Sequence, residues 1–367
     1  MQDIDKNTIL NINLKSIKNN FNKVKKKVNR NCIVAATVKA NAYGLGIKKI
    51  VPTLYKSGCR HFFVATTNEA LELRKLNKSI SIFILNGLVT SELSVIDKYN
   101  LIPTINSLAE LKRIENYQVK IKKSLKIAIH FDTGMSRLGL DKNETKLILK
   151  NKEKYIKFSK VILIMSHLAC ADTPSKKMNN LQLKNFCKII KYFPNTQHSL
   201  ANSAGVLLGK KYHFDMVRPG ISLYGGSPLT DSKNVYDNVI NLKAKIIQVR
   251  NISRNDTIGY GATFKAKKNM IIGTVPLGYA DGFSRLFSNN FEGYIGRQKI
   301  NIVGRVSMDL ITFDVTNVKG ILKIKNIYVD IIGNKNNINN VCKKINTIPY
   351  EVLTKLGKRY NRTYTSY

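Results

Sequence analysis

The sequence predicts an α/β fold joined to an all-β one: an N-terminal (β/α)8 TIM-type barrel over residues 1–235 and a C-terminal β domain over 236–367. Three observations predict it. From Ile33 to Val217, eight short apolar runs alternate with amphipathic stretches, the pattern of parallel βαβ units. Beyond Tyr236, β-rich runs follow one another with Gly and Asn-Asp turn signals and no helices between them. The length of 367 residues suits about two domains.

Taken in order, Thr8–Leu14 alternates as a short strand, and it is a candidate to pack with the β domain. Leu14, Ile17, Phe21, Val24 and Val28 then share one face of a helix. The eight runs are Ile33–Val38, His61–Thr66, Ile80–Leu85, Leu101–Ile105, Leu125–Phe131, Val161–Met165, Gln197–Leu200 and Phe214–Val217, the seventh being the weakest. Asn68–Leu76, Ser91–Tyr99, Leu108–Tyr117, Glu144–Tyr155 and Leu181–Tyr192 supply helices between them. Eight such units fit a closed barrel better than an open doubly wound sheet. The β runs are Lys243–Arg250, Thr257–Ala266, Met270–Val275, Gly293–Arg297, Ile300–Val303, Ile311–Val315 and Ile327–Ile332. A helix near Asn337–Lys344 precedes a basic, Tyr-rich tail.

Composition narrows the function. The chain carries 61 Lys and Arg against 23 Asp and Glu, a net charge of +38. Such an excess can mark nucleic-acid binding. Here the basic residues come singly or in short groups such as Lys25-Lys26-Lys27, and Lys, Asn and Ile are abundant together, as in AT-rich coding. No nucleic-acid partner is expected. The five cysteines are odd in number and never spaced as CxxC, so reduced thiols and no metal are expected. No apolar run reaches the ~18 residues of a membrane span, and the acidic start does not resemble a secretory signal. A cytoplasmic location with no membrane association is expected.

Barrel enzymes place their chemistry at the C-terminal ends of the strands. The first run leads into Lys39-Ala40-Asn41-Ala42-Tyr43-Gly44. A Lys there is either a side chain snorkelling from a strand end or a buried amine of lowered pKa, as a Schiff base with pyridoxal phosphate requires. The fifth leads into Asp132–Gly139 with Arg137, a rigid fork for an oxyanion or a loop salt bridge. The sixth leads into Ser166-His167, where a His is either structural or catalytic. The seventh and eighth lead into Ala201-Asn202-Ser203-Ala204-Gly205 and Arg218-Pro219-Gly220-Ile221, where barrels bind phosphate. Together these describe one cofactor site. In the β domain, Gly259-Tyr260-Gly261, Gly278–Gly282 with Tyr279, and Gly304–Asp309 with Met308 are glycine-punctuated stretches without an evident structural need.

Seven motifs, Val38–Gly44, Asp132–Gly139, Ala201–Ala204, Val217–Gly220, Gly259–Phe264, Gly278–Gly282 and Gly304–Asp309, make the chain resemble the alanine racemases, pyridoxal-phosphate enzymes of fold type III. The resemblance implies a two-base racemisation of L- and D-alanine, supplying D-alanine for peptidoglycan. Lys39 would hold the cofactor and take the α-proton of the D-amino acid, and Tyr260 would take that of the L-amino acid on the opposite face. Arg218 would face the pyridine nitrogen, with His167 supporting it. Arg137 would contact the phenolic oxygen and orient the substrate. Tyr43, Ser203, Gly220 and Ile221 would cradle the phosphate, Met308 N–H would meet the substrate carboxylate, and Tyr279 would line the entrance. Similar enzymes are head-to-tail homodimers, which implies that Tyr260 and Met308 cross the interface.

Two departures from the family's pattern stand out. His130 occupies a position that carries a carbamylated Lys in some members, and Lys358 stands where others place a phosphate-reaching Tyr, with Tyr360 and Tyr364 as rivals. The alternatives to a narrow alanine racemase are a broader amino-acid racemase of the same fold, a pyridoxal-phosphate carrier and a decarboxylase.

Overall fold

The first barrel strand, 33–37, bonds to a neighbour on each side, and this closes the ring. In the computed structural model, which describes residues 7–230, 232–322 and 326–366, Ala36–Thr37 pair in parallel with Phe62 and Phe63. Ile33–Val34 pair in parallel with Met216–Val217. Between them run His61–Val64, Ser81–Ile84, Ile102–Ile105, Lys126–His130, Lys160–Met165 and Gln197–Ser199, each parallel to the next. The seventh and eighth strands are joined by Asp215 N–H to His198 O at 3.1 Å and Arg218 N–H to Ala201 O at 2.9 Å. All eight runs anticipated from sequence are barrel strands, the weak seventh included.

Strands buried on both faces read as short apolar runs because water reaches neither side. Large side chains fill the barrel interior beside two alanines. Phe63 and Phe83 stack with centroids 4.5 Å apart, and Ala35, Ile102, Ala128, Leu163, Met165 and Met216 complete the same cluster. Three of the described helices that follow strands begin at acidic or hydroxyl caps, Thr66, Ser107 and Asp141. Thr66 and Glu69 form a capping box for Thr67–Leu76, and Asp141 and Glu144 form one for Lys142–Lys150.

Residues 18–223 and 227–236 make up the barrel unit, and 7–17, 224–226 and the described residues from 237 to 366 make up a second one. The second unit is built on a nine-stranded sheet. Its order is Gln248–Ile252, Met270–Val275, Ile311–Asp314, Gln298–Ile302, Glu292–Ile295, Tyr328–Ile332, Ile240–Lys245, Thr8–Asn13 and Asn361–Thr365. Every pair is antiparallel except the last. Thr8, Leu10 and Ile12 point into the core in strict alternation.

Two sequence expectations are corrected here, and the tail, to which the sequence assigns no elements, gains them. The run 243–250 is two strands, Ile240–Lys245 and Gln248–Ile252, broken where Ile246 and Ile247 bond to other partners. The run 257–266 is a pair of two-residue strands, Thr257–Ile258 and Phe264–Lys265, around a turn that carries Tyr260. The tail is ordered as a helix, Pro349–Lys355, and the edge strand Asn361–Thr365.

Candidate active site

Lys39 emerges at the point where the chain leaves the barrel and turns the wrong way. Ala40, Asn41, Ala42 and Tyr43 have φ of 53, 53, 54 and 55°, and Gly44 follows at 80°. This is a turn of left-handed helix, closed by Ala42 N–H to Val38 O at 2.9 Å and Gly44 N–H to Ala40 O at 2.7 Å. Left-handed backbone costs an L-residue roughly 1–2 kcal/mol, so the surroundings must hold the turn. Glu69 Oε1 accepts the Ala40 N–H at 2.6 Å, and Asn41 Oδ1 accepts the Ile47 N–H at 2.8 Å. Lys39 itself is half-buried. Burial pushes its amine below the ordinary lysine pKa, the Arg137 charge pushes it further, and Glu69 opposes them in part.

The loops after the seventh and eighth strands meet at Ser203. Its hydroxyl oxygen accepts from Gly220 N–H at 2.8 Å and Ser222 N–H at 3.4 Å, and the Ser222 hydroxyl lies 3.1 Å away. Asn202 caps the short helix Ser203–Leu207 through Gly205 N–H at 2.9 Å. Tyr43 reaches this corner and packs on Gly220, while Ile221 is fully buried beside it. Small residues and the Ser203 and Ser222 hydroxyls give the corner the character of a phosphate pocket.

Arg218 is buried on the eighth strand. Its Nη2 donates to the carbonyl oxygens of Ser166 and Leu200, and its Cζ lies 5.8 Å from the Phe63 ring centroid. Its Nε is buried with no hydrogen-bond partner. Burial pushes the guanidinium down to about 9. An unpaired buried donor is costly unless an acceptor is meant to meet it. A pyridine-type nitrogen is such an acceptor, so the residues fit a pyridoxal phosphate with its phosphate at Ser203 and Gly220. His167 does not bond the guanidinium directly. Its Nε2 lies 3.4 Å from Asn202 Nδ2, and because Asn202 Oδ1 already serves Gly205, that ring nitrogen is the acceptor. Burial and the Arg218 and Arg137 charges hold the imidazole well below its ordinary pKa, hence neutral.

Arg137 sits on the loop 132–139, exposed and without a hydrogen-bond partner among the described residues. Asp132 shapes the loop by accepting from the N–H groups of Gly134, Met135 and Ser136 at 2.9, 2.8 and 2.9 Å. Burial alone would raise this carboxyl, but the three donors bring it below the usual range. His130 lies beneath the loop. Its Nδ1 pairs with Asn106 Oδ1 at 2.9 Å, and Asn106 Nδ2 donates to the Leu85 and Thr104 carbonyls, so Nδ1 is the donor. Burial, with the nearby Arg218 charge, pushes His130 down to about 3. Gln182, fully buried, joins the loop to the sixth strand's exit. Its Nε2 donates to Thr133 Oγ1 at 3.3 Å and His167 O at 2.9 Å, and its Oε1 accepts from Ala169 N–H at 2.8 Å.

Lys39, Tyr43, Arg137, His167, Ser203, Arg218, Gly220 and Ile221 thus gather at the C-terminal ends of the barrel strands. A cavity of about 740 Å³ at the opposite ends, lined by Ile33, Lys160, His198 and Asp215 among others, lies away from them.

Tyr260, Tyr279 and Met308 belong to the β unit and are exposed at 72, 45 and 53 %. Tyr260 borders a cavity of about 590 Å³ lined also by Arg250, Arg305 and Ser307. The 278–282 and 304–309 loops are bonded through Tyr279 N–H to Ser307 O at 3.1 Å and Ala280 N–H to Met308 O at 3.0 Å. A β-carbon on Gly278 would stand 2.2 Å from Met308 O, so only Gly permits that approach. Arg359 clasps both loops, with Nε to Asp281 Oδ1 and Nη1 to Asp309 Oδ1, each at 2.7 Å. Of the phosphate-reaching rivals in the tail, Tyr360 is buried and gives its hydroxyl proton to Asp281 O at 2.7 Å, whereas Lys358 is exposed.

Glu69, Asn106 and Gln182 carried no assignment in the sequence. Their roles lie in hydrogen bonds to backbone and side-chain groups of other elements, and only the Thr66–Glu69 capping pattern gave a signal. Among the described residues, no group of three or more His, Cys, Asp or Glu could hold a metal ion, and no helix is long and apolar enough to cross a membrane.

Comparison with known proteins follows the same division. Residues 12–228 match a family model described as alanine racemase, N-terminal domain, and residues 239–364 one described as alanine racemase, C-terminal domain. The chain is 43 % identical over 338 residues to an alanine racemase of Rickettsia bellii, covering 92 % of this chain and 82 % of the relative. It is 42 % identical over 354 residues to one of Rickettsia rickettsii, covering 96 and 98 %. Among solved structures it is similar to an alanine racemase from Bartonella henselae with covalently bound pyridoxal phosphate, at TM-score 0.94 and 36 % identity, over 98 % of this chain and 100 % of that one. It is also similar to a biosynthetic alanine racemase from Pseudomonas aeruginosa, at TM-score 0.90 and 30 % identity, over 98 and 100 %.

Proposed function

The chain belongs to the alanine racemase family, and from that premise we propose that it interconverts L- and D-alanine with pyridoxal phosphate held on Lys39. When bound, this cofactor supplies an electron sink that acidifies the α-carbon of the amino acid joined to it. The observation that carries the proposal is Arg218, whose buried Nε lacks a partner beside a hydroxyl- and glycine-lined pocket.

Each side chain then has a task. Lys39 is the base on the D-alanine side, and its lowered pKa suits an amine that must take up a proton near neutrality. Tyr260 is the base on the L-alanine side. Tyr43, Ser203, Gly220 and Ile221 receive the phosphate. Arg218 donates toward the ring nitrogen and, unable to release a proton readily, keeps that nitrogen unprotonated. His167, neutral, braces Arg218 through the adjoining Ser166 carbonyl. Arg137, with no competing partner, turns to the phenolic oxygen and the substrate. The Met308 N–H meets the substrate carboxylate, and Tyr279 lines the entrance.

Tyr260 and Met308 are too exposed in one chain to serve dry chemistry there. The proposed assembly is a homodimer in which they reach the site of the neighbouring subunit. In the cell the enzyme works in the cytoplasm and supplies D-alanine for peptidoglycan. A domain division at residues 235 and 236 separates the cofactor-binding part from the part that supplies the second base.

Exchange of the α-proton in heavy water tests the assignment. Tyr260→Phe loses exchange from L-alanine far more than from D-alanine, and Lys39→Ala loses both along with the cofactor's attachment. Wild-type L-alanine exchange in Tyr260→Phe would remove the two-base reading. Turnover of serine or lysine above that of alanine would favour a broader racemase.

A further inference from the structure

Glu69 has no part in the assignments above, yet its carboxylate spans the exits of the first two barrel strands. Oε1 accepts the Ala40 N–H at 2.6 Å, the first peptide after Lys39. Oε2 accepts the Ala65 N–H at 2.7 Å and the Thr66 N–H at 3.4 Å, where the second strand ends. The last ladder bond between these strands is Val38 N–H to Phe63 O at 2.9 Å. Glu69 extends that tie past the ladder, at the junction where the backbone enters five consecutive positive-φ residues, Ala40 to Gly44.

A helix cap would not need this reach. The capping box uses Oε2 toward Thr66 and Thr66 Oγ1 toward the Glu69 N–H at 3.3 Å. The Oε1 bond to Ala40 lies outside the helix and is shorter than either.

We propose that Glu69 is a positioning residue for Lys39, clamping the left-handed turn to the second strand and so fixing the backbone from which the reactive amine projects. The proposal rests on Lys39 being the base on the D-alanine side. The charge contributes as well. Besides burial, Arg137 and Glu69 are the charged groups acting on the Lys39 amine, the first lowering its pKa and the second raising it. Neutralising Glu69 leaves Arg137 and burial unopposed, so the amine pKa falls further.

The test compares Glu69→Gln, Glu69→Asp and Thr66→Ala in the cofactor-loaded enzyme, by α-proton exchange from each alanine enantiomer across pH. In Glu69→Gln, exchange from D-alanine falls on the order of 10²-fold, as for a base displaced by about an ångström. Exchange from L-alanine falls much less, and the acid limb of the D-alanine profile moves to lower pH. Glu69→Asp keeps the charge but is one methylene too short to span both strands. It loses D-alanine exchange with the limb unmoved, and it carries the test if Glu69→Gln fails to fold. Thr66→Ala lowers the melting temperature without distinguishing the enantiomers.

Equal losses for both enantiomers in the Glu69 variants, in step with their melting temperatures, would reduce Glu69 to a helix cap and overturn the proposal. Unchanged exchange would overturn it too. Borohydride fixation followed by peptide mapping separates this from the parent reading: a cofactor fixed elsewhere than Lys39 would sink both, whereas fixation on Lys39 with enantiomer-blind Glu69 variants would sink this one alone.

Discussion

The hydroxyl of Tyr43 stands 2.2 Å from the point that a β-carbon on Gly220 would occupy. The two residues follow the first and last barrel strands, so the contact exists only because the ring closes between them. Gly220→Ala must push the Tyr43 ring out of the phosphate corner, and overpacking of this kind costs about 1–3 kcal/mol. The expected result is roughly tenfold weaker retention of pyridoxal phosphate, read by equilibrium dialysis. Unaltered retention would remove Tyr43 from the cofactor's surroundings.

Gln182 is the buried joint between the Arg137 loop and the His167 segment. Gln182→Leu keeps the volume and strands the Ala169 N–H and the His167 carbonyl. Each orphaned buried group costs about 1–3 kcal/mol. The urea midpoint should fall accordingly, and kcat should fall with it as the Arg137 loop loosens. A stable variant of normal kcat would contradict the bracing role.

Arg359 predicts the opposite balance. Its side chain is 52 % exposed and Asp309 is exposed too, so that pair contributes about 1 kcal/mol or less. Asp281 is buried but keeps the Gly278 N–H on its other oxygen, so Arg359→Ala should lower the melting temperature only modestly. It removes the side-chain clasp over the 304–309 and 278–282 loops, however, leaving them joined only by their two backbone bonds, and Met308 and Tyr279 lie on these two. KM for alanine should rise severalfold with kcat little changed, the mark of lost ground-state binding. Steady-state kinetics in both directions would reveal it, and an unchanged KM would argue against it.

Acid should destabilise the barrel before its carboxylates protonate. The folded chain holds His130 at about 3 and keeps His167 lowered as well, so both stay neutral where an unfolded chain would take up protons. Their stabilising contribution is complete above the ordinary histidine pKa of about 6.5 and is lost as pH falls toward the folded value. Each such histidine contributes a slope of up to about 1.4 kcal/mol per pH unit. Urea midpoints between about pH 7.5 and 5 measure it. His130→Asn should flatten the curve, and a flat wild-type curve would mean that these rings are not buried neutral.

The barrel was legible because each strand is buried on both faces and writes itself as an apolar run before an amphipathic helix. The β unit was legible only in part. Asn361–Thr365 mixes Asn, Arg, Thr and Tyr, so its strand character lies in its pairing with Thr8–Asn13 at the far end of the chain. Thr257–Ala266 reads as one strand because its apolar ends mask the turn at Gly259–Ala262. The left-handed turn after Lys39 carries no glycine before Gly44, so sequence gives no hint of its hand. Lys39, Tyr260 and Arg218 were found through motifs. Glu69 and Gln182 escaped because each acts through hydrogen bonds that tie it to other elements of the fold.

The pairing of Thr8–Asn13 with strands from the other end of the chain also sets a timetable for synthesis. The barrel uses a contiguous stretch and can assemble as it leaves the ribosome. The β sheet cannot, because the strand made first lies between Ile240–Lys245 and Asn361–Thr365. Until those residues emerge, Thr8–Asn13 has an apolar face and two unfilled edges. Between the synthesis of Thr8–Asn13 and that of Asn361–Thr365 the nascent chain must therefore carry a strand with an open edge, a site for mispairing or for a chaperone.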